Sequence, residues 1–246
     1  MELKGKIALV TGASKGIGKA TAELLGNSGC NVIVNYASDQ NGADEVVSVL
    51  EELGVQAVAI QADISNKSDV ESMFSEIKKQ FGTLDVLINN AGIFDMNDSP
   101  ESLEAFENVF KVNFLAQVMV TNEAVKLMKT GKIVFLSSVH GMIGHGRPDA
   151  IAYSAMKAGL DSYMKNLAKH LAPDILVNSI SPGKTLTPMW GEMDDKTKNE
   201  MAQDHLTERW IMPEEIADGI LFLLKNDSVC GEILTVDGGM ALKTLG

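Results

Sequence analysis

Short, continuously apolar runs alternate along the chain with longer stretches whose apolar residues recur every three or four positions. The runs are residues 6–10 (KIALV), 31–35 (NVIVN), 55–60 (VQAVAI), 85–89 (DVLIN), 132–137 (KIVFLS), 175–180 (ILVNSI) and 232–236 (EILTV). A strand with one wet face alternates apolar and polar side chains. These runs do not, so both faces are predicted to be covered, as in a parallel sheet. The stretches between them predict helices. Ser99-Pro100-Glu101 puts a capping residue, a proline and an acid in helix-starting order, and Met212-Pro213-Glu214-Glu215 does something similar. Strand and helix alternate from end to end, which predicts an α/β chain with a doubly wound parallel sheet of seven strands and helices on both faces. No repeat, low-complexity tract or linker interrupts the series, so residues 1–246 are expected to form a single domain.

Residues 184–212 (KTLTPMWGEMDDKTKNEMAQDHLTERWIM) are the least periodic and hold Trp190, Trp210 and four methionines. They read either as a flap facing a substrate or as a surface excursion anchored by a few apolar side chains. Composition changes the picture mainly by exclusion. A net charge of −12 argues against nucleic acid or an anionic membrane as partner. The start runs into the first strand at once, and no apolar run approaches the ~18 residues of a membrane span. A cytoplasmic protein is therefore expected. Cys30 and Cys230 have no spacing that suggests a disulfide or metal site. Both are expected to be small buried hydrophobes, and no metal is expected.

The first run leads into IALVTGASKGIG, residues 7–18. Glycines there let the backbone turn and approach a pyrophosphate, while a helix N-terminus offers amide donors. The spacing G-x-x-x-G-x-G differs from the commoner G-x-G-x-x-G, but its place after the first strand supports a dinucleotide site. An acid ending the second strand would favour NAD(H) by gripping the ribose 2′-hydroxyl. Asn35, Tyr36, Ala37 and Ser38 stand there instead. Lys15 in the glycine loop can meet a 2′-phosphate, and Ser38 can add a hydroxyl. NADP(H) is favoured, with NAD(H) the alternative if Asp39 reaches back to the ribose.

Tyr153 and Lys157 lie four residues apart in AIAYSAMKAGL, so on a helix they are neighbours. An ammonium beside a phenol is expected to lower its pKa from ~10 toward working pH, as proton transfer requires. Other polar groups gather at the strand ends: Ser138 after the fifth run, Asn89-Asn90-Ala91-Gly92 after the fourth, and Pro182-Gly183 after the sixth. Asn113, between apolar residues in FKVNFLAQ, reads as a buried amide. His140, His145 and Arg147 are expected to be solvated loop residues. Trp190 and Trp210 read equally as pocket walls or packing anchors.

Taken together, TGASKGIG, NNAG, Asn113, Ser138, YSAMK, SPG and VDGG, in this order from about residue 3 to Gly239, resemble the short-chain dehydrogenase/reductase family. The resemblance implies a Rossmann-type fold and hydride transfer between a nicotinamide and a carbonyl or secondary alcohol. It implies that Tyr153 moves the proton and Ser138 orients the carbonyl oxygen. Lys157 would lower the tyrosine pKa and bind the nicotinamide ribose, and Asn113 would support a water relay. It places Gly12, Ser14, Gly16, Ile17 and Gly18 at the pyrophosphate, and Asp63 and Ile64 at the adenine. Asn90, Ala91 and Gly92 would form the ribose-side wall. Thr185 and Thr187, after Pro182 and Gly183, would face the nicotinamide amide and phosphates. The family also implies a homotetramer, to which the small-residue face of the 152–172 helix (Ala155, Gly159) is suited.

Within the family the chain looks most like 3-oxoacyl-(acyl carrier protein) reductases, which implies NADPH and an acyl-thioester substrate. Its substrate edge departs from them: VHGMIGHGRPDAIA is two residues longer, the KTGK and LAPDI turns are short, and TERWIM replaces a glycine-bearing stretch. The alternatives are a sugar, polyol, steroid or other small-carbonyl dehydrogenase and, in another class, a non-catalytic dinucleotide sensor or scaffold.

Overall fold

The computed structural model describes residues 1–243. Seven strands form one parallel sheet: β1 (Ile7–Val10), β2 (Asn31–Tyr36), β3 (Ala57–Gln61), β4 (Val86–Asn89), β5 (Gly131–Leu136), β6 (Ile175–Pro182) and β7 (Ile233–Val236). Their order is β3-β2-β1-β4-β5-β6-β7, so the winding reverses between β1 and β4. The helices are α1 (Gly16–Asn27), α2 (Gln40–Glu52), α3 (Lys67–Phe81), α4 (Leu103–Phe110), α5 (Ala116–Leu127), α6 (Ile151–Leu171), α7 (Asp195–Ala202) and α8 (Pro213–Lys225).

The uninterrupted apolar character of the strands has a direct cause. Ala8, Val10, Val32, Val34, Val86 and Ile88 pack on one face against Leu25 of α1, Val46 and Leu50 of α2, and Ile220 and Leu224 of α8. Leu9, Ile33, Leu87, Ile133 and Phe135 pack on the other face against Ile77 of α3, Val120 of α5 and Met164 of α6. Successive side chains point to opposite faces of a sheet, and here both faces are roofed by helices. Each fully buried Leu, Ile or Val contributes ~1.5–3 kcal/mol relative to exposure.

Two local expectations are corrected. Ser99-Pro100 does not start a helix: α4 begins at Leu103, where the Ser102 hydroxyl oxygen accepts from the Ala105 N–H at 3.2 Å. Cys230 is exposed, whereas Cys30 is buried, donates to the Leu3 carbonyl and has its pKa pushed up to about 12 by burial. The start of α8 is as expected, with the Glu215 carboxylate accepting from the Met212 N–H at 2.9 Å. Residues 184–212 hold a 3-10 turn (Pro188–Trp190) and α7, and a bridge between Thr185 and Ile211 ties their ends. Trp190 and Trp210 meet edge to face at 5.5 Å, each indole N–H bonded to a backbone carbonyl, so they fasten this segment together. Among the described residues, no helix is long and apolar enough to cross a membrane.

Candidate active site

The turn after β1 and the turn after β4 meet where the winding reverses, the place at which open α/β sheets bind ligands. Buried Thr11 joins them: its hydroxyl donates to the Ile88 carbonyl and accepts from the N–H groups of Asn90 and Ala91 at 3.0 and 3.1 Å. The Asn90 amide donates back to the carbonyls of Thr11 and Gly12 at 2.8 and 3.0 Å. Gly12 has φ +63, and a Cβ there would stand 3.0 Å from Ala91 Cα. A Cβ on Gly18 would lie 2.4 Å from the Gly12 carbonyl oxygen. These glycines are required by close approach of backbone to backbone.

Helix α1 starts at this loop without a side-chain cap and without an acid in its first turn, which leaves its positive end open to an anion. Ser14 is buried, Lys15 is exposed and caps the helix by position alone, and Ile17 is half-buried. Thr187 stands over Gly16, 3.4 Å from where a Cβ would be. Thr185 is buried and donates to the Gly183 carbonyl, just past Pro182 at the end of β6. Asn35 accepts from the Gly12 N–H and donates to the Ala62 carbonyl, tying the glycine loop to β3. Ser38 is exposed, and the Asp39 carboxylate caps α2 by accepting from the Gly42 N–H at 3.2 Å. Asp63 accepts from the Ser65 N–H, and Ile64 is buried beyond the end of β3. The residues expected to hold a dinucleotide thus lie along one edge, from β3 to β6, and the donors at the start of α1 fit a pyrophosphate.

Ser138, just past β5, is nearly buried, and its oxygen accepts from the His140 N–H. Tyr153 and Lys157 lie one turn apart on α6, with the Lys157 Nζ 5.6 Å from the Tyr153 ring centroid. The ammonium donates at 2.6 Å to the Leu136 carbonyl at the end of β5. This changes the expected electrostatics. Burial raises the Tyr153 pKa, opposed first by the Ser138 hydroxyl and then by the charge of Arg147, not by Lys157. Lys157 is itself brought down to about 8 by burial, with Asp161 acting against the fall.

Asn113 is fully buried in a π-helical turn, Lys111–Leu115, between α4 and α5. Its amide oxygen accepts from the Ile93 N–H and its amide nitrogen donates to the Ile93 carbonyl, both at 2.7 Å. The wider turn brings this amide to the loop after β4, beside Gly92, where a Cβ would be 3.9 Å from the Lys157 Nζ. Phe94 meets the Tyr153 ring edge to face at 5.7 Å, and the Arg147 guanidinium covers Phe94 while pairing with Asp149. Arg147, half-buried, thus packs on Phe94 while its pair with Asp149 stays exposed to solvent. His140 is half-buried, its ring bonded to the His145 carbonyl and its pKa lowered by burial.

Sequence reasoning missed two acids. Asp161, a turn beyond Lys157, is buried, accepts from the Ser179 hydroxyl at 2.9 Å and has its pKa raised by burial. The i, i+4, i+8 spacing of Tyr153, Lys157 and Asp161 was a usable signal. Asp98 is also buried, and no local spacing connects it to α6.

Residues 12–241 match the family described as Enoyl-(Acyl carrier protein) reductase. A 3-oxoacyl-[acyl-carrier-protein] reductase from Synechocystis sp. is 38% identical, with 98% of each chain covered. Glucose 1-dehydrogenase 2 from Bacillus subtilis is 37% identical, over 98% of this chain and 96% of that protein. The crystal structure of the angucycline C-6 ketoreductase LanV with bound NADP matches with a TM-score of 0.89 and 32% identity, over 98% of both chains. Likeness of this extent, in sequence and in sheet architecture together, identifies the chain as an oxidoreductase belonging to the short-chain dehydrogenase/reductase family, whose members bind NAD(P).

Proposed function

We propose that the protein is an NADP(H)-dependent carbonyl reductase acting on a 3-oxoacyl thioester, and that Tyr153 is its proton donor. The observation that carries this reading is the convergence of Tyr153, Ser138 and Lys157 on the cleft opened by the glycine loop. When bound, the dinucleotide supplies the hydride. Tyr153, kept protonated by burial, gives its proton to the carbonyl oxygen, and Ser138 hydrogen-bonds that oxygen. Lys157 faces the phenol as a cation and stabilises the phenolate left behind, and it holds the nicotinamide ribose. Asn113 fixes the loop wall opposite and supports a water path for reprotonation.

Gly12, Ser14, Gly16, Ile17 and Gly18 hold the pyrophosphate, and Asp63 and Ile64 flank the adenine. Asn90, Ala91 and Gly92 form the ribose wall, with Pro182, Gly183, Thr185 and Thr187 on the nicotinamide side. The preference for NADP(H) rests on exposed Lys15 and Ser38 and on the commitment of Asp39 to capping α2. An acyl chain suits the mouth because the loops after β4, β5 and β6 each expose an apolar side chain: Met96, Ile143 and Met189. Residues 184–212 act as the flap over it. Exposed Phe106 and Phe110 on α4 and Leu115 in the π-helical turn, near the small residues Ala155 and Gly159 on α6, favour a homotetramer.

The test is NADPH oxidation with acetoacetyl thioesters, sugars, polyols and steroid ketones, comparing the parent with Tyr153→Phe. Turnover of the thioester that is abolished in Tyr153→Phe, with NADPH binding kept, is the expected result. Near-parent turnover in that variant would defeat the assignment of Tyr153. A flat trace across the panel with tight NADPH binding would favour a sensor or scaffold.

A further inference from the structure

Helix α6 begins without a cap of its own: Ala150 offers no side-chain acceptor, and the first turn carries no acid. The first N–H groups of an α-helix have no partners within the helix. Those of Ala152 and Tyr153 are taken by Asp98, one from each carboxylate oxygen, at 2.9 Å. Asp98 lies in the loop between β4 and α4, more than 50 residues earlier in the chain, and is 5% exposed. A carboxylate is buried at low cost only where donors meet it, and the N-terminus of a helix adds favourable potential. The same loop carries Phe94 against the Tyr153 ring, and Ile93, just before it, is gripped by Asn113. Residues 93–98 are thus pinned at one end to the π-helical turn and at the other to the backbone of Tyr153 itself.

We propose that Asp98 is a positioning residue: its carboxylate sets the first turn of α6, and so the place of Tyr153, against the loop wall that the substrate meets. The proposal rests on the reading of Tyr153 as proton donor. It carries an electrostatic consequence, because a negative charge bonded to the tyrosine's own N–H disfavours the phenolate. The other titratable groups around Tyr153 are Lys157 on α6, Arg147 paired with Asp149, and His140 on the turn after β5, whose pKa is lowered by burial. Lys184, beyond β6, is paired with Asp204, and Asp95 is turned to Asn97 and Asn108.

The experiment compares the parent, Asp98→Ala, Asp98→Asn and Tyr153→Phe for NADPH affinity, melting temperature, kcat, KM and the pH dependence of kcat/KM. Asp98→Ala is expected to lower kcat ~10–100-fold, the effect of misplacing a reacting group by about 1 Å, with NADPH affinity nearly unchanged. Asp98→Asn keeps the shape and one acceptor. It is expected to recover part of kcat and to move the tyrosine limb of the pH profile to lower pH. Parent-like kcat in a folded Asp98→Ala, or an unmoved profile in Asp98→Asn, overturns the proposal. So does a fall in kcat that only tracks the folded fraction. If Asp98→Ala does not fold, the profile of Asp98→Asn decides. Parent-like turnover in Tyr153→Phe instead removes the reading of the site on which the proposal stands.

Discussion

Asn113→Ala takes away both halves of one clamp. The amide makes two hydrogen bonds to Ile93, one accepted and one donated, each 2.7 Å long, from a fully buried side chain. An orphaned buried polar group costs ~1–3 kcal/mol. Ile93 is half-buried, so water reaches part of it and each orphan falls near the lower end, about 2–3 kcal/mol for the pair. The vacated space lies against Gly92, which has no Cβ to fill it, and an amide-sized void adds ~1 kcal/mol. The sum is about 3–4 kcal/mol, and in a chain of 246 residues each kcal/mol lowers Tm by ~2–4 °C. A fall of roughly 6–16 °C is expected in scanning calorimetry at pH 7 and matched protein concentration. Turnover should fall with it, since the freed loop carries Phe94 away from Tyr153. A variant melting within ~2 °C of the parent would show that the clamp holds nothing.

Lys15→Ala should weaken NADPH ~10–100-fold, the worth of one charge-assisted contact to a phosphate, and leave NADH almost unchanged; equal losses for both in fluorescence titration would remove the basis for NADP(H). Gly18→Ala places a methyl 2.5 Å from Asn90 Nδ2 and beside the Gly12 carbonyl, splitting the clamp between the two turns. Overpacking of that kind costs ~1–3 kcal/mol, so a clear loss of cofactor affinity is expected in the same titration, and parent-like binding would refute the packing argument. The third concerns pH: Lys157, near 10.5 when unfolded, titrates near 8 when folded, so between those values the unfolded chain binds more protons and the parent gains stability as pH rises. Lys157→Met lacks this gain, so its Tm relative to the parent should decline from pH 8 to 10.5; a constant difference would mean that Lys157 is not desolvated.

Much of this fold was legible because it depends on patterns that are local or repeated. Seven runs apolar on both faces require two helical roofs, and they have them. The glycine loop was legible for a similar reason: Gly18 is fixed by a carbonyl 2.4 Å from its absent Cβ, a demand made only six residues away. What failed was the choice between partners. Ser99-Pro100-Glu101 has the local grammar of a helix start, but Ser102 caps α4 instead, and Asp98 beside that stretch is spent on α6. TERWIM lacks a glycine where one is familiar, and the chain accepts Glu208 in the left-handed region at φ 52, a conformation that no local pattern announces.

The Tyr153–Lys157 pair shows the same limit in its sharpest form. Helical spacing set the distance correctly, since the ammonium does face the ring. It could not set the direction of the N–H bonds, which is decided by the Leu136 carbonyl at the end of β5. Held there, the lysine is buried and the tyrosine beside it half-buried, and desolvation disfavours the charged form of both. Burial therefore favours the protonated phenol of Tyr153. Under the proposed role of Tyr153 as proton donor, that is the form a reduction needs at the outset, because the phenol must hold its proton until hydride arrival makes the carbonyl oxygen basic. On that proposal neighbouring charge acts after the transfer, on the phenolate, so the position of Lys157 would matter more to the second half of the reaction than to the first.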